Sequence, residues 1–153
     1  MLGVTKEDNE EDANLLAEKI SKLRIFSDEN DKMNLSVKDV SGSILVVSNF
    51  TLNANYAHGN RPDYLLGASP DIAKNLYLYF VKLLREKVED VQTGVFGADM
   101  ITEMSTDGPV TIVMDSNVLK KKKSFQLRRL SSTCIGAKFL HLCVIISPFT
   151  PLP

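Results

Sequence analysis

Ser48 and Thr51 stand in the run Ser48-Asn49-Phe50-Thr51-Leu52, directly after the apolar stretch Ile44-Leu45-Val46-Val47. Hydroxyls at the end of a buried strand are placed to face a pocket. Thr51 can donate a hydrogen bond, and the backbone N–H groups near Phe50 and Thr51 can hold a developing oxyanion. The plainer alternative is a strand end whose hydroxyls bond to nearby backbone. A second candidate is Thr106-Asp107-Gly108-Pro109-Val110-Thr111. Asp-Gly-Pro between two apolar runs marks a turn. Only an X-Pro bond becomes cis at small cost, so a cis Gly108-Pro109 would aim its carbonyl oxygens in a fixed direction and exclude a side chain by shape. A simple hairpin turn explains the same residues. The third candidate, Phe96-Gly97-Ala98-Asp99-Met100, sets an aromatic ring and a thioether around a glycine. Such a set walls an adenine pocket or packs as ordinary core. The basic run Lys120 to Lys123 can meet phosphates or lie in solvent.

The absences are as informative. The histidines are His58 and His141 alone. They assemble no Ser-His-Asp or Cys-His arrangement, and the chain has no Walker loop, dinucleotide fingerprint or zinc spacing. An enzyme built from this sequence would use no cofactor, no metal and no histidine base. Its chemistry would be a reaction with a low barrier, or one whose substrate supplies a catalytic group.

These candidates need elements to position them. Asp8 or Asn9 can cap a helix over 10–23, with Glu10, Glu11 and Asp12 complementing its dipole and Ala13, Leu16, Ile20 and Leu23 at helical spacing. Met1 to Thr5 reads as the end of a strand. Ile44 to Val47 is short, continuous and β-branched, as in a strand buried on both faces. Residues 53–70 hold two glycines and two prolines and form a long loop, of the kind that is often functional. Ser69-Pro70 opens a second helix over 71–86 with Ile72, Leu76, Phe80 and Leu83 or Leu84 inward. Residues 91–96, 100–105 and 110–115 read as three strands. The expected fold is α+β (mixed α/β), with two helices packed on a largely antiparallel sheet. The domain is expected over 1–116, with 117–153 a separate basic and then apolar tail.

Composition narrows the class. At 44% apolar and 24% charged, 153 residues suit one globular domain with one core. A net charge of -1 supplies no global attraction to nucleic acid, so any RNA contact must come from a local patch or from shape. Two cysteines, Cys134 and Cys143, make no disulfide framework, which fits a reducing cytosol. No signal peptide is expected. The longest apolar stretch, 137–146, is broken by Lys138 and His141 and falls short of the ~20 residues a spanning helix needs. A cytoplasmic protein is the expectation.

Together these segments resemble the D-aminoacyl-tRNA deacylase family. The likeness runs through Leu2-Gly3-Val4-Thr5, Leu23-Arg24-Ile25-Phe26, Lys32-Met33-Asn34-Leu35-Ser36, Ser48 to Leu52, Gly59-Asn60-Arg61-Pro62, Gly94 to Met100 and Asp107 to Thr111, in that order. The resemblance implies hydrolysis of the ester that joins a D-amino acid, or glycine, to the terminal adenosine of tRNA. It implies a homodimer in which a cis Gly108-Pro109 reaches the partner's active site and rejects L-amino acids. It implies a pocket lined by Ser48, Asn49, Phe50 and Thr51, in which Thr51 is the candidate nucleophile, and a reaction that relies on backbone contacts and the substrate's 2′-hydroxyl. The family's opening strands would precede Leu2 and are expected to be missing here. Asn49 stands where the family has glutamine, and Thr106 where it usually has asparagine. These departures leave an alternative, a non-catalytic remnant of the family or an RNA- or partner-binding protein.

Overall fold

The structure, a computed structural model, describes residues 1–106, 109–125 and 142–145. Helix α1 (Glu10–Ser21) starts at Asn9, whose side chain accepts from the Glu11 N–H at 2.9 Å while its own N–H donates to Asp12 Oδ2 at 3.1 Å. Asp8 does not cap the helix. It instead accepts from the Thr5 N–H at 2.5 Å. Helix α2 (Pro70–Arg85) has its proline in the first turn, where the missing N–H costs nothing. The two helices pack on each other, with Leu16 and Leu84 almost wholly buried. Their apolar faces lie over β3 (Ser43–Val46) and β4 (Asp90–Thr93), and Ile44, Val46 and Val91 join the same core.

Three features differ from the sequence reading. β3 and β4 run parallel, in register from Ser43 opposite Asp90 to Val46 opposite Thr93, because α2 carries the chain back between them. The antiparallel pairs are β1 (Phe26–Ser27) with β2 (Met33–Leu35) and β5 (Thr111–Met114) with β6 (Leu142–Ile145), and β1, β2 and β6 are strands that the sequence did not lead one to expect. β3 is buried on one face only: Leu45 is 56% exposed, because the helices cover just the side of Ile44 and Val46. The strand expected over 100–105 does not form. Those residues are exposed, Ile101 at 94%, and strand propensity alone holds nothing without a neighbouring strand to bond to.

A third helix, α3 (Ser116–Phe125), lies where the basic tail was expected to begin, and packs on α1. Lys120 Nζ sits 2.7 Å from the buried Asp12 Oδ1. Burial opposes the charge on Asp12, but Lys120, Ser116 and the Asn9 N–H outweigh it and hold the carboxyl below its ordinary range. Arg128, Arg129, Cys134 and His141 lie outside the described residues. No helix among the described residues is long and apolar enough to cross a membrane.

Asp8 goes the other way. Burial pushes its carboxyl up to about 6, against the opposing pull of the Thr5 hydrogen bonds. The folded chain therefore binds this proton more tightly than the unfolded chain does, and stability contributed by protonated Asp8 is lost as pH rises through about 6. Asp8→Asn keeps an acceptor for Thr5 and removes the titration. Its thermal midpoint should vary less than the wild type's between the ordinary carboxylate range and neutrality, as read by scanning calorimetry. An unchanged pH profile would refute the reading.

Candidate active site

The Ser48 to Leu52 segment leaves the carboxyl end of β3, and the Gly94 to Met100 segment leaves the carboxyl end of β4. Because the two strands are parallel and in register, both segments emerge at one edge. The carboxyl edge of parallel strands is where open α/β sheets bind ligands. The Gly94 N–H donates to the Val46 carbonyl at 3.1 Å, which ties the two exits together. Met100 folds back over Gly94: a Cβ added there would lie 2.6 Å from Met100 Sδ. Phe96 leans on Tyr77, with ring centroids 5.6 Å apart. The Tyr77 hydroxyl donates to the Val46 carbonyl at 2.9 Å, and burial raises the phenol above the ordinary tyrosine range, so it stays a neutral donor. The structure thus brings Ser48, Asn49, Phe50, Thr51, Phe96 and Met100 to one end of the sheet.

The segment after β3 is a 3-10 turn over Phe50–Asn53. Asn49 is its cap. The Asn49 backbone is extended, and its side-chain oxygen accepts from the Thr51 N–H at 3.0 Å and from Thr51 Oγ1 at 2.5 Å. The Leu52 N–H donates to the Asn49 carbonyl at 3.4 Å. Phe50, as the first residue of the turn, has no intrahelical acceptor for its N–H, by the ordinary rule of helix starts. The arrangement leaves Phe50 N–H as the donor available to an oxyanion, while Thr51 N–H is engaged. It also bears on Thr51 as a nucleophile. Its hydroxyl donates to an amide oxygen, which cannot take the proton a nucleophile must lose.

The position of this asparagine matters. The shorter side chain at 49 closes a compact ring onto the backbone two residues on, the geometry that Asn and Asp favour. Phe50 itself is 64% exposed and meets Tyr64 edge to face, with centroids 5.0 Å apart. That contact draws the loop of 54–68 against the turn. The base of the loop is clamped by paired backbone bonds between Asn55 and Asp63, at 2.8 and 2.9 Å, and by Asn55 Nδ2 to Asp63 Oδ2 at 2.9 Å.

Pro109 is exposed in the turn that leads into β5, and Gly108 lies outside the described residues. Within one chain β5 pairs with β6 rather than with β3. The sequence reading missed Tyr64 and Tyr77, which pack on Phe50 and Phe96, and Asn53, which it took only as the start of a loop. Tyr77 had a signal: it falls one turn before Phe80 and Val81 on the inner face of α2. Asn53 had none, because its partner is forty-nine residues away.

The sequence model of the family described as D-Tyr-tRNA(Tyr) deacylase matches residues 1–115. The chain is 52% identical over 122 residues to the D-aminoacyl-tRNA deacylase of Dictyoglomus turgidum, covering 80% of this chain and 78% of that one. It is 54% identical over 118 residues to the enzyme of the same name from Thermotoga petrophila, covering 77% and 79%. A solved structure described as c-Myc DNA Unwinding Element Binding Protein superposes with a TM-score of 0.67 at 38% identity, over 71% of this chain and 74% of that one. A second, described as a probable eukaryotic D-amino acid tRNA deacylase, shares the fold with a TM-score of 0.52 at 15% identity. With a family match across most of its length and half of its aligned residues identical to those relatives, this chain belongs to the D-aminoacyl-tRNA deacylase family.

Proposed function

We propose that the chain hydrolyses the ester between a D-amino acid, or glycine, and the terminal adenosine of tRNA, releasing free tRNA and the amino acid as chiral proofreading in translation. The observation that carries this reading is the capped turn at the carboxyl edge of β3, in a chain half identical to deacylases over most of its length. An aminoacyl ester is already activated, so the site needs only part of the usual catalytic gain. Water attacks the ester carbonyl carbon, and its oxygen becomes negative. Phe50 N–H stabilises that charge. The ribose hydroxyl next to the ester, held in place, relays the proton to the leaving oxygen. Thr51 and Ser48 line the pocket with Asn49. Phe96 and Met100 form the wall against which the adenine rests.

The chiral filter requires Gly108-Pro109. Pro109 lies at an exposed turn, and other loops of the chain expose apolar side chains, with Leu65 at 73%, Val95 at 68% and Ile101 at 94%. These fit a homodimer in which Gly108-Pro109 enters the partner's site and clashes with an L side chain. The deacylase domain is residues 1–116, with the following helix α3 packed on its α1, and it acts in the cytoplasm.

The test is hydrolysis of D-tyrosyl-tRNA beside L-tyrosyl-tRNA. The D ester should be cleaved and the L ester spared. Equal cleavage of both would remove the chiral filter, and a folded chain that binds both and cleaves neither would leave a binding protein.

A further inference from the structure

Asn53 is 4% exposed, yet it belongs to a turn in which Phe50 and Thr51 are exposed and Leu52 is half-buried. Its Nδ2 donates to the Val4 carbonyl at 2.9 Å, and its Oδ1 finds no donor among the described residues. A buried amide left half satisfied weakens the fold, so the position calls for a compensating use. The surrounding contacts identify one. The Leu2 N–H donates to the Val47 carbonyl at 2.8 Å, and the Asn49 N–H donates to the Leu2 carbonyl at 2.8 Å. Leu2 therefore fastens the entry of the 3-10 turn, and Val4 fastens its exit through Asn53. Gly3, between them, lies flat on the turn: a Cβ there would sit 3.1 Å from Leu52 Cβ and 3.2 Å from both amide atoms of Asn53. Between the two fastenings Phe50 and Thr51 bow outward to the site.

We infer that Asn53 is a positioning residue, one that fixes where the Phe50–Thr51 backbone stands by tying the exit of the turn to Val4. Its link to catalysis rests on the deacylase reading above. Val4 keeps a second donor, the Ala68 N–H at 3.0 Å, so removing Asn53 leaves that carbonyl satisfied and the Leu2 to Val4 segment in place.

The experiment pairs kinetics with hydrogen exchange on Asn53→Ala, with Gly3→Ala as a second variant that disturbs the same contact from the other side. A turn displaced by a fraction of an ångström should lower kcat for D-tyrosyl-tRNA about tenfold and leave KM within about twofold. The amides of Leu52 and Ala54, which close the turn, should exchange about tenfold faster, with those of Phe80 and Leu84 in α2 unchanged. Exchange that stays the same in the turn overturns the inference. So does acceleration everywhere with activity lost only in proportion to unfolded chain, and so does unchanged kcat with a loosened turn. Should the wild type cleave neither ester, the deacylase reading fails, and local exchange in the turn still decides whether Asn53 anchors it.

Discussion

Phe50→Pro should lower kcat for D-aminoacyl-tRNA about 100-fold below that of Phe50→Ala, the usual cost of one oxyanion donor. Both variants lose the ring and its edge contact with Tyr64. Only proline also loses the N–H. The substitution is unusually clean here because the backbone already suits it. Position 50 is the first of a helical turn, where proline is favoured, and Asn49 is extended with φ -148 and ψ 100, close to the β region that a residue before proline adopts. The cap at Asn49 acts on Thr51 and survives in both variants. Single-turnover kinetics under saturating enzyme would isolate the chemical step. Equal rates for the two variants would take the Phe50 N–H out of the mechanism and return the oxyanion to another donor.

Leu16→Ala should cost about 3–4 kcal/mol of stability, lowering the thermal midpoint by roughly 10 °C or more. Leu16 is 0% exposed and lies on the face of α1 that packs against α2, over the β3–β4 pair. Deleting its side chain leaves a cavity that two helices and a strand pair, each pinned by its own hydrogen bonds, collapse into only partly. Leu45→Ala is the matched control, since Leu45 is 56% exposed and its loss opens no cavity. Urea unfolding of the two variants gives the comparison. A Leu16→Ala cost no larger than that of Leu45→Ala would mean that the core does not sit between α1, α2 and β3.

The two long helices were readable because their signals are local. Asn9 with its acidic first turn and Ser69-Pro70 each announce a start, and apolar spacing of three and four residues follows; the expected bounds fell within two residues of those observed. The inner face of α2 was less exact. Ile72 was expected inward and is 54% exposed, while Tyr77, five residues further along, is 3% exposed. A first-turn residue has little of the neighbouring structure to pack on, which periodicity does not register. The strand expected at 100–105 failed for a related reason. Its β-branched and apolar residues satisfy propensity, but a strand exists only with a partner beside it.

Residue types and order were enough to locate Ser48 to Leu52 and Gly94 to Met100, and to point to the family to which the chain belongs. They were also enough for α1 and α2, whose stabilising contacts lie within a few positions of each other. Whether β3 and β4 run parallel, and so whether the two segments meet at one edge, depended on how α2 returns the chain. Which N–H stands free and which hydroxyl is already engaged depended on Asn49 folding onto Thr51. The seat of that turn depended on Leu2 and Val4, more than forty residues away in the chain. Hydrogen bonds of that length are chosen by packing, not by spacing, and packing is what a linear pattern leaves open.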